Sequence, residues 1–182
     1  MSQQINWKKQ LTKLVSYSND NGFQVLFKKE KHGIAAICFK TKQITIQTSY
    51  TKEKQLYLLL HELGHYVILK DAKKYNNGIG YVLDNFTSSS MASKTAEIEE
   101  EFEAWNAGRE LAKKLRLKIR RDSFERFKSK LLTTYFIWAV QTKVANKLKN
   151  KQIREEQMPT DVISNTIMSI SASLKSIELE KG

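Results

Sequence analysis

Apolar positions recur along this chain at two periods, and the period switches twice. Residues 5 to 18 place Trp7, Leu11, Leu14 and Val15 on one side of a short amphipathic helix, and Asn19-Asp20-Asn21-Gly22 then signals a turn. Three short runs follow: Phe23 to Phe27, Ile34 to Phe39 and Gln43 to Gln47. Their alternating side chains and brief connections predict a three-stranded antiparallel meander, with Cys38 inside a buried strand. His32 falls in the first connection and reads as an exposed loop residue.

Helical spacing then returns. A segment capped by Thr51 or Ser49 and running to about Lys70 is apolar nearly all round, which places it in the middle of the molecule. A second helix is expected over Thr95 to Leu117, with Ser93 or Thr95 as its cap. Its buried stripe would be Ile98, Ala104, Trp105, Gly108, Leu111, Ala112 and Leu115. A third, from Ser123 to about Lys149, carries Phe124, Phe127, Leu131, Leu132, Tyr135, Trp138 and Ala139 as a core-facing stripe. Pro159 opens a last helix, Thr160 to about Leu179, with Ile163, Ile167, Ile170 and Leu174 on one face. Between Asp71 and Lys94 the pattern is irregular, and a long loop between two helices is a candidate cleft wall. Tyr81 in that loop could offer a phenol to an oxyanion, although packing is its plainer use. The order of elements is that of an α+β fold.

The central apolar helix carries His61-Glu62-Leu63-Gly64-His65. Residues four apart share a helix face, so the two imidazoles can grip one metal ion. Glu62 lies beside the first of them, placed to take a proton from a water on the metal. Gly64 costs about 1 kcal/mol of helix propensity relative to Ala, and its lack of a side chain lets another backbone come close beneath the metal. The chain has 3 His and two of them are here, so the alternative of two incidental histidines is the weaker account.

A catalytic zinc site needs a third protein ligand. On the next helix Glu101 falls within the apolar stripe, between Ile98 and Trp105, whereas Glu103 shares a polar face with Ala107, Glu110 and Lys114. A carboxylate on the core side is costly unless paired, hydrogen-bonded or metal-bound, which makes Glu101 the expected third ligand. The alternative is that Glu97, Glu99, Glu100, Glu101 and Glu103 form one solvated charge run. Ala104 and Gly108 are small enough for this helix to pack closely.

These pieces together resemble the ImmA/IrrE family of zinc metallopeptidases: a β-rich stretch, then His61 to Tyr66 (HELGHY), then Glu101-Phe102-Glu103-Ala104. The resemblance covers roughly residues 20 to 117. It implies a zincin-like arrangement in which the small sheet packs on the motif helix and on the second ligand helix. It also implies Zn2+ bound by His61, His65 and Glu101, with Glu62 as general base. Two departures stand out: Trp105 occupies the position where the family usually has Asn, and the Leu-Leu-Met-Pro that often closes the later helix is absent.

Composition limits the alternatives. At 182 residues, with 41% hydrophobic and 10% aromatic residues, the chain can bury a core. No signal-peptide pattern and no run of about 18 apolar residues is present, so no membrane association is expected. A single cysteine suits a reducing cytoplasm. Lys113 to Arg154 holds 14 Lys or Arg against 2 acidic residues, so the whole net charge of +12 resides there. That region could hold nucleic acid or an acidic protein, or be the solvated face of a Lys-rich helix. The expected organisation is a metallopeptidase domain over residues 1–117 and a basic helical extension over 118–182 packed on it. The expected function is zinc-dependent cleavage of a cytoplasmic protein substrate, which the resemblance suggests is a regulator of a mobile element. The competing expectation is a basic binding protein encoded by a phage or mobile element, its metal site structural or vestigial. Oligomeric state is left open by the sequence.

Overall fold

Thr51 and Asn6 set the helical frame of this chain, because each offers a side-chain oxygen to an amide that would otherwise lack a partner. The computed structural model describes residues 4–29, 35–71, 75, 79, 87 and 90–152, with 142–152 by backbone alone. The helix expected after Pro159, together with His32 and Tyr81, lies outside the described residues. The elements are α1 (Trp7–Asp20), β1 (Gln24–Lys28), β2 (Ala35–Cys38), β3 (Gln43–Gln47), α2 (Lys52–Lys70), α3 (Met91–Lys114) and α4 (Arg121–Gln152). One compact unit runs from Met1 to Val140 and a second from Gln141 to Gly182. The fold is α+β. No helix of the described residues is long and apolar enough to cross a membrane.

The Asn6 side chain accepts the Lys9 amide at 3.0 Å to start α1, which buries Leu11, Leu14 and Ser18. Gly22 ends it at φ +83, a left-handed conformation that costs glycine little, and the Phe23 amide returns to the Ser18 carbonyl at 2.9 Å.

The sheet differs from the expected meander. Its order is β1-β3-β2, with β1 parallel and β2 antiparallel to β3, so it is mixed and β1 does not pair with β2. Burial explains the order. Among the three strands only β3 is deeply buried, through Ile44, Ile46 and Gln47, whereas β1 and β2 alternate between half-buried and exposed. The most buried strand takes the centre, and the two more exposed strands become edges. A second correction follows: Cys38 is exposed, because it points outward from an edge strand.

Helix α2 begins at its Thr51 cap, and every residue from Gln55 to Gly64 is buried. The Gln55 amide donates to the carbonyls of Thr48 and Tyr50 at 3.2 and 2.8 Å, so its burial is satisfied. α2 packs against α1, β2, β3 and α3. Helix α3 starts four residues earlier than its apolar pattern predicts, at Met91, with the Ser90 hydroxyl accepting the Ser93 amide at 3.0 Å. Its glutamates therefore lie beyond the first turn, which contains no acidic residue.

Where α2 and α3 cross, their backbones nearly touch. A Cβ added to Gly64 would collide with the Ala104 carbonyl, and one added to Gly108 would collide with the Leu60 carbonyl. Aromatic rings close the far side: Tyr57 meets Trp7 and Phe124 edge-on, and Trp105 meets Phe124 and Phe127. Phe124, Phe127 and Leu132 of α4 thus belong to the same buried cluster as α2.

Candidate metal centre

One turn of α2 separates His61 from His65, and their ring centroids are 4.7 Å apart. The close crossing at Gly64 and Gly108 brings the next helix over them, and Glu101 lies two turns before Gly108 on α3. His61 Nε2 is 3.1 Å from Glu101 Oε2, and His65 Nε2 is 3.6 Å from Glu101 Oε1. One ligand atom from each of the three residues lies within 4.8 Å of the others, an arrangement that could hold a metal ion. Metal bonds of about 2.1 Å at tetrahedral angles put neighbouring ligand atoms about 3.4 Å apart, which both measured separations approach. Two ring nitrogens converging on one largely buried carboxylate suit a shared cation. Among the described residues no fourth His, Cys, Asp or Glu joins the group.

His65 and Glu101 each meet a further polar side chain. His65 Nδ1 faces Glu100 Oε1 at 3.3 Å, and the Tyr75 hydroxyl donates to Glu100 Oε2 at 3.2 Å. Such a carboxylate fixes the tautomer of a ligand histidine and raises its basicity. The plane of His61 is set differently: its ring stacks on Trp105 at 4.4 Å and 20°. Trp105 therefore lies directly against a candidate ligand. The Tyr135 hydroxyl, from α4, reaches the Glu101 carboxylate.

Protonation follows from these neighbours. Burial opposes the His65 cation, but the Glu100 contact and the charges of Glu101 and Glu62 outweigh it and raise the pKa above the usual imidazole value. For Glu101 burial pushes upward, yet His61 and His65 prevail and the carboxylate stays below its usual range. Glu62 is 5% exposed, and burial pushes its pKa up despite the pull of both histidines. Its carboxylate faces the Ile37 amide of β2, an edge strand of the sheet.

The structure brings His61, His65, Glu101 and Glu62 together, and leaves Glu103 exposed. Tyr135, Glu100 and Tyr75 were not expected at the site. Tyr135 belongs to a stripe read from its spacing as core, and a phenol can serve a core with its ring while its hydroxyl reaches elsewhere. Several cations of the basic stretch are internally engaged: Arg120 pairs with Glu53, Lys128 donates to Asn106 at 2.9 Å, and Lys113 pairs with Glu110.

No protein-family model, curated protein or solved structure matches this chain.

Replacing Glu100 with Ala is expected to weaken metal binding about 10- to 100-fold, because His65 loses the partner that orients it. Competition against a chromophoric chelator measures this. Unaltered affinity would show that Glu100 does not position His65.

Proposed function

We propose that this protein is a zinc-dependent endopeptidase, with His61, His65 and Glu101 as metal ligands and Glu62 as general base. The observation that carries the reading is the convergence of three ligand atoms from two helices beside a buried fourth side chain, Glu62, that has a raised proton affinity. Zinc held by this group would supply Lewis acidity to a water and to the scissile carbonyl. Glu62 takes the proton of the attacking water on its carboxylate and passes it to the departing amine, so its elevated pKa suits both halves of the task. Strand β2 borders Glu62 and has one edge that no other described strand pairs with, which can accept an extended peptide by main-chain hydrogen bonds. The resemblance of HELGHY and Glu101-Phe102-Glu103-Ala104 to the ImmA/IrrE metallopeptidases supports the same assignment, together with a zincin-like packing, a cytoplasmic setting and a mobile-element regulator as substrate.

Protein loaded with one equivalent of zinc and incubated with a proteome-derived peptide library is expected to generate new termini, detected by mass spectrometry. A chelated control should generate none. A fully loaded protein that cuts nothing in the library would overturn the proposal.

A further inference from the structure

Among the described residues Lys94 is the most deeply buried charged residue outside the metal centre. It is 1% exposed, and its Nζ has no hydrogen-bond partner. The ammonium lies over the face of Trp138, 5.5 Å from the ring centroid. That distance is near the outer limit of a cation–π contact, and a ring cannot satisfy three N–H donors. Glu97, one turn further along, feels the Lys94 charge but makes no ion pair with it.

The position makes an unpaired cation more costly still. Lys94 lies one turn into α3, a helix of 24 residues whose first turn contains no acidic side chain. Helical side chains lean toward the N-terminus, so the Lys94 stem leans toward the positive end of the helix dipole. A buried ammonium and a helix N-terminus repel each other and attract the same thing, an anion.

Lys94 also lies in register with the metal centre. Seven residues separate it from Glu101, so the two share a face of α3 and stand about 10 Å apart along the axis. α4 follows both: Tyr135 reaches Glu101, and Trp138 covers Lys94. Trp138 is itself 38% exposed whereas the ammonium beneath it is sealed from solvent, so an anion reaches Lys94 by displacing the indole.

We infer that Lys94 is an anion subsite, which receives a carboxylate of the peptide whose backbone lies at the metal centre. An extended chain advances about 3.3 Å per residue, so the carboxylate belongs about three residues from the scissile bond. A lone ammonium without an arginine fork matches a carboxylate, which is either an acidic side chain or the substrate's C-terminus. That the ligand is a peptide rests on the endopeptidase reading; that an anion binds here does not.

The test reads binding, not cleavage, so it can fail while proteolysis stands, or succeed where none is found. Full-length zinc-loaded protein carrying Glu62→Gln is titrated with end-blocked octapeptides in which one Glu is scanned along the chain, each against its Gln twin. A Glu-free peptide with a free C-terminal carboxylate is compared with its amide. At one spacing the anionic member is expected to bind about tenfold more tightly than its neutral twin. Adding Lys94→Met, which keeps the stem and removes the charge, should abolish the preference, and Lys94→Arg should retain part of it. Preference in the Glu scan identifies an acidic side chain, and preference in the terminal pair identifies a C-terminus. If no anionic peptide is preferred, or if the preference survives Lys94→Met, the subsite does not exist. A Lys94→Met protein that is merely more heat-stable, with no change in discrimination, also overturns it.

Discussion

Glu62→Gln is expected to lower kcat/KM for peptide cleavage about a thousandfold while the protein still binds one zinc. Positioned acid–base groups contribute roughly 10²- to 10⁴-fold, and Glu62 would act twice in one turnover, as base and then as acid. The substitution isolates that role. Gln has the same shape, keeps an oxygen facing the Ile37 amide and leaves all three candidate ligands in place. It loses only the capacity to take a proton. Zinc content by elemental analysis and cleavage by mass spectrometry give the two readouts, and undiminished cleavage would remove Glu62 as the base.

A second consequence of the same change has a definite sign. Burial raises the Glu62 pKa in the folded protein, so ionising it there costs stability that the unfolded chain does not lose. Below the unfolded value of about 4.3 the carboxyl is protonated in both states and the cost is absent. As pH rises through the folded pKa the penalty appears in full. Chelator-treated Glu62→Gln should therefore unfold at a higher temperature than chelator-treated wild type at neutral pH, with the gap closing in acid.

The parts of this fold that sequence pattern reveals are those set by local periodicity. The Thr51 cap, the extent of α2 and the buried stripe through Ala104, Trp105, Gly108, Leu111 and Ala112 all follow from residues within a few turns of each other. Strand order does not. Alternation in Phe23 to Phe27 and Gln43 to Gln47 says which face is apolar and nothing about which strand lies beside which. The early start of α3 was hidden for a different reason. Ser88, Ser89 and Ser90 are equally good caps by type, and Met91 to Thr95 lacks the apolar repeat that would choose among them. At the site, His61, Glu62 and His65 are legible from four-residue spacing and Glu101 from its place on a core face. Glu100 and Tyr75 are not, because the contact of Glu100 with His65 depends on how two helices cross, and that of Tyr75 with Glu100 on a residue between them. The burial of Lys94 is equally illegible, since a lysine on a helix ordinarily reaches water.

Gly108→Ala separates two physical accounts of the crossing that assembles the site. If helix propensity alone mattered, replacing a mid-helix glycine with alanine would stabilise the protein by about 1 kcal/mol. The structure requires the opposite. The new methyl would occupy the position of the Leu60 carbonyl, and main chain cannot turn aside as the end of a flexible side chain can. The two helices must separate, and loss of packing along their seam is expected to cost about 1–3 kcal/mol net, the usual range for overpacking. Leu60 precedes His61, and Gly108 lies two turns from Glu101 on the same face of α3, so separation also draws the carboxylate away from both imidazoles. Metal affinity should therefore fall together with stability, although Gly108 meets His61 only at its main-chain nitrogen. Gly64→Ala, against the Ala104 carbonyl on the other side of the crossing, should act in the same direction. Urea unfolding and chelator competition on each variant measure the two effects. A Gly108→Ala protein as stable as wild type, with unaltered metal affinity, would mean that the helices do not approach as closely as the site requires.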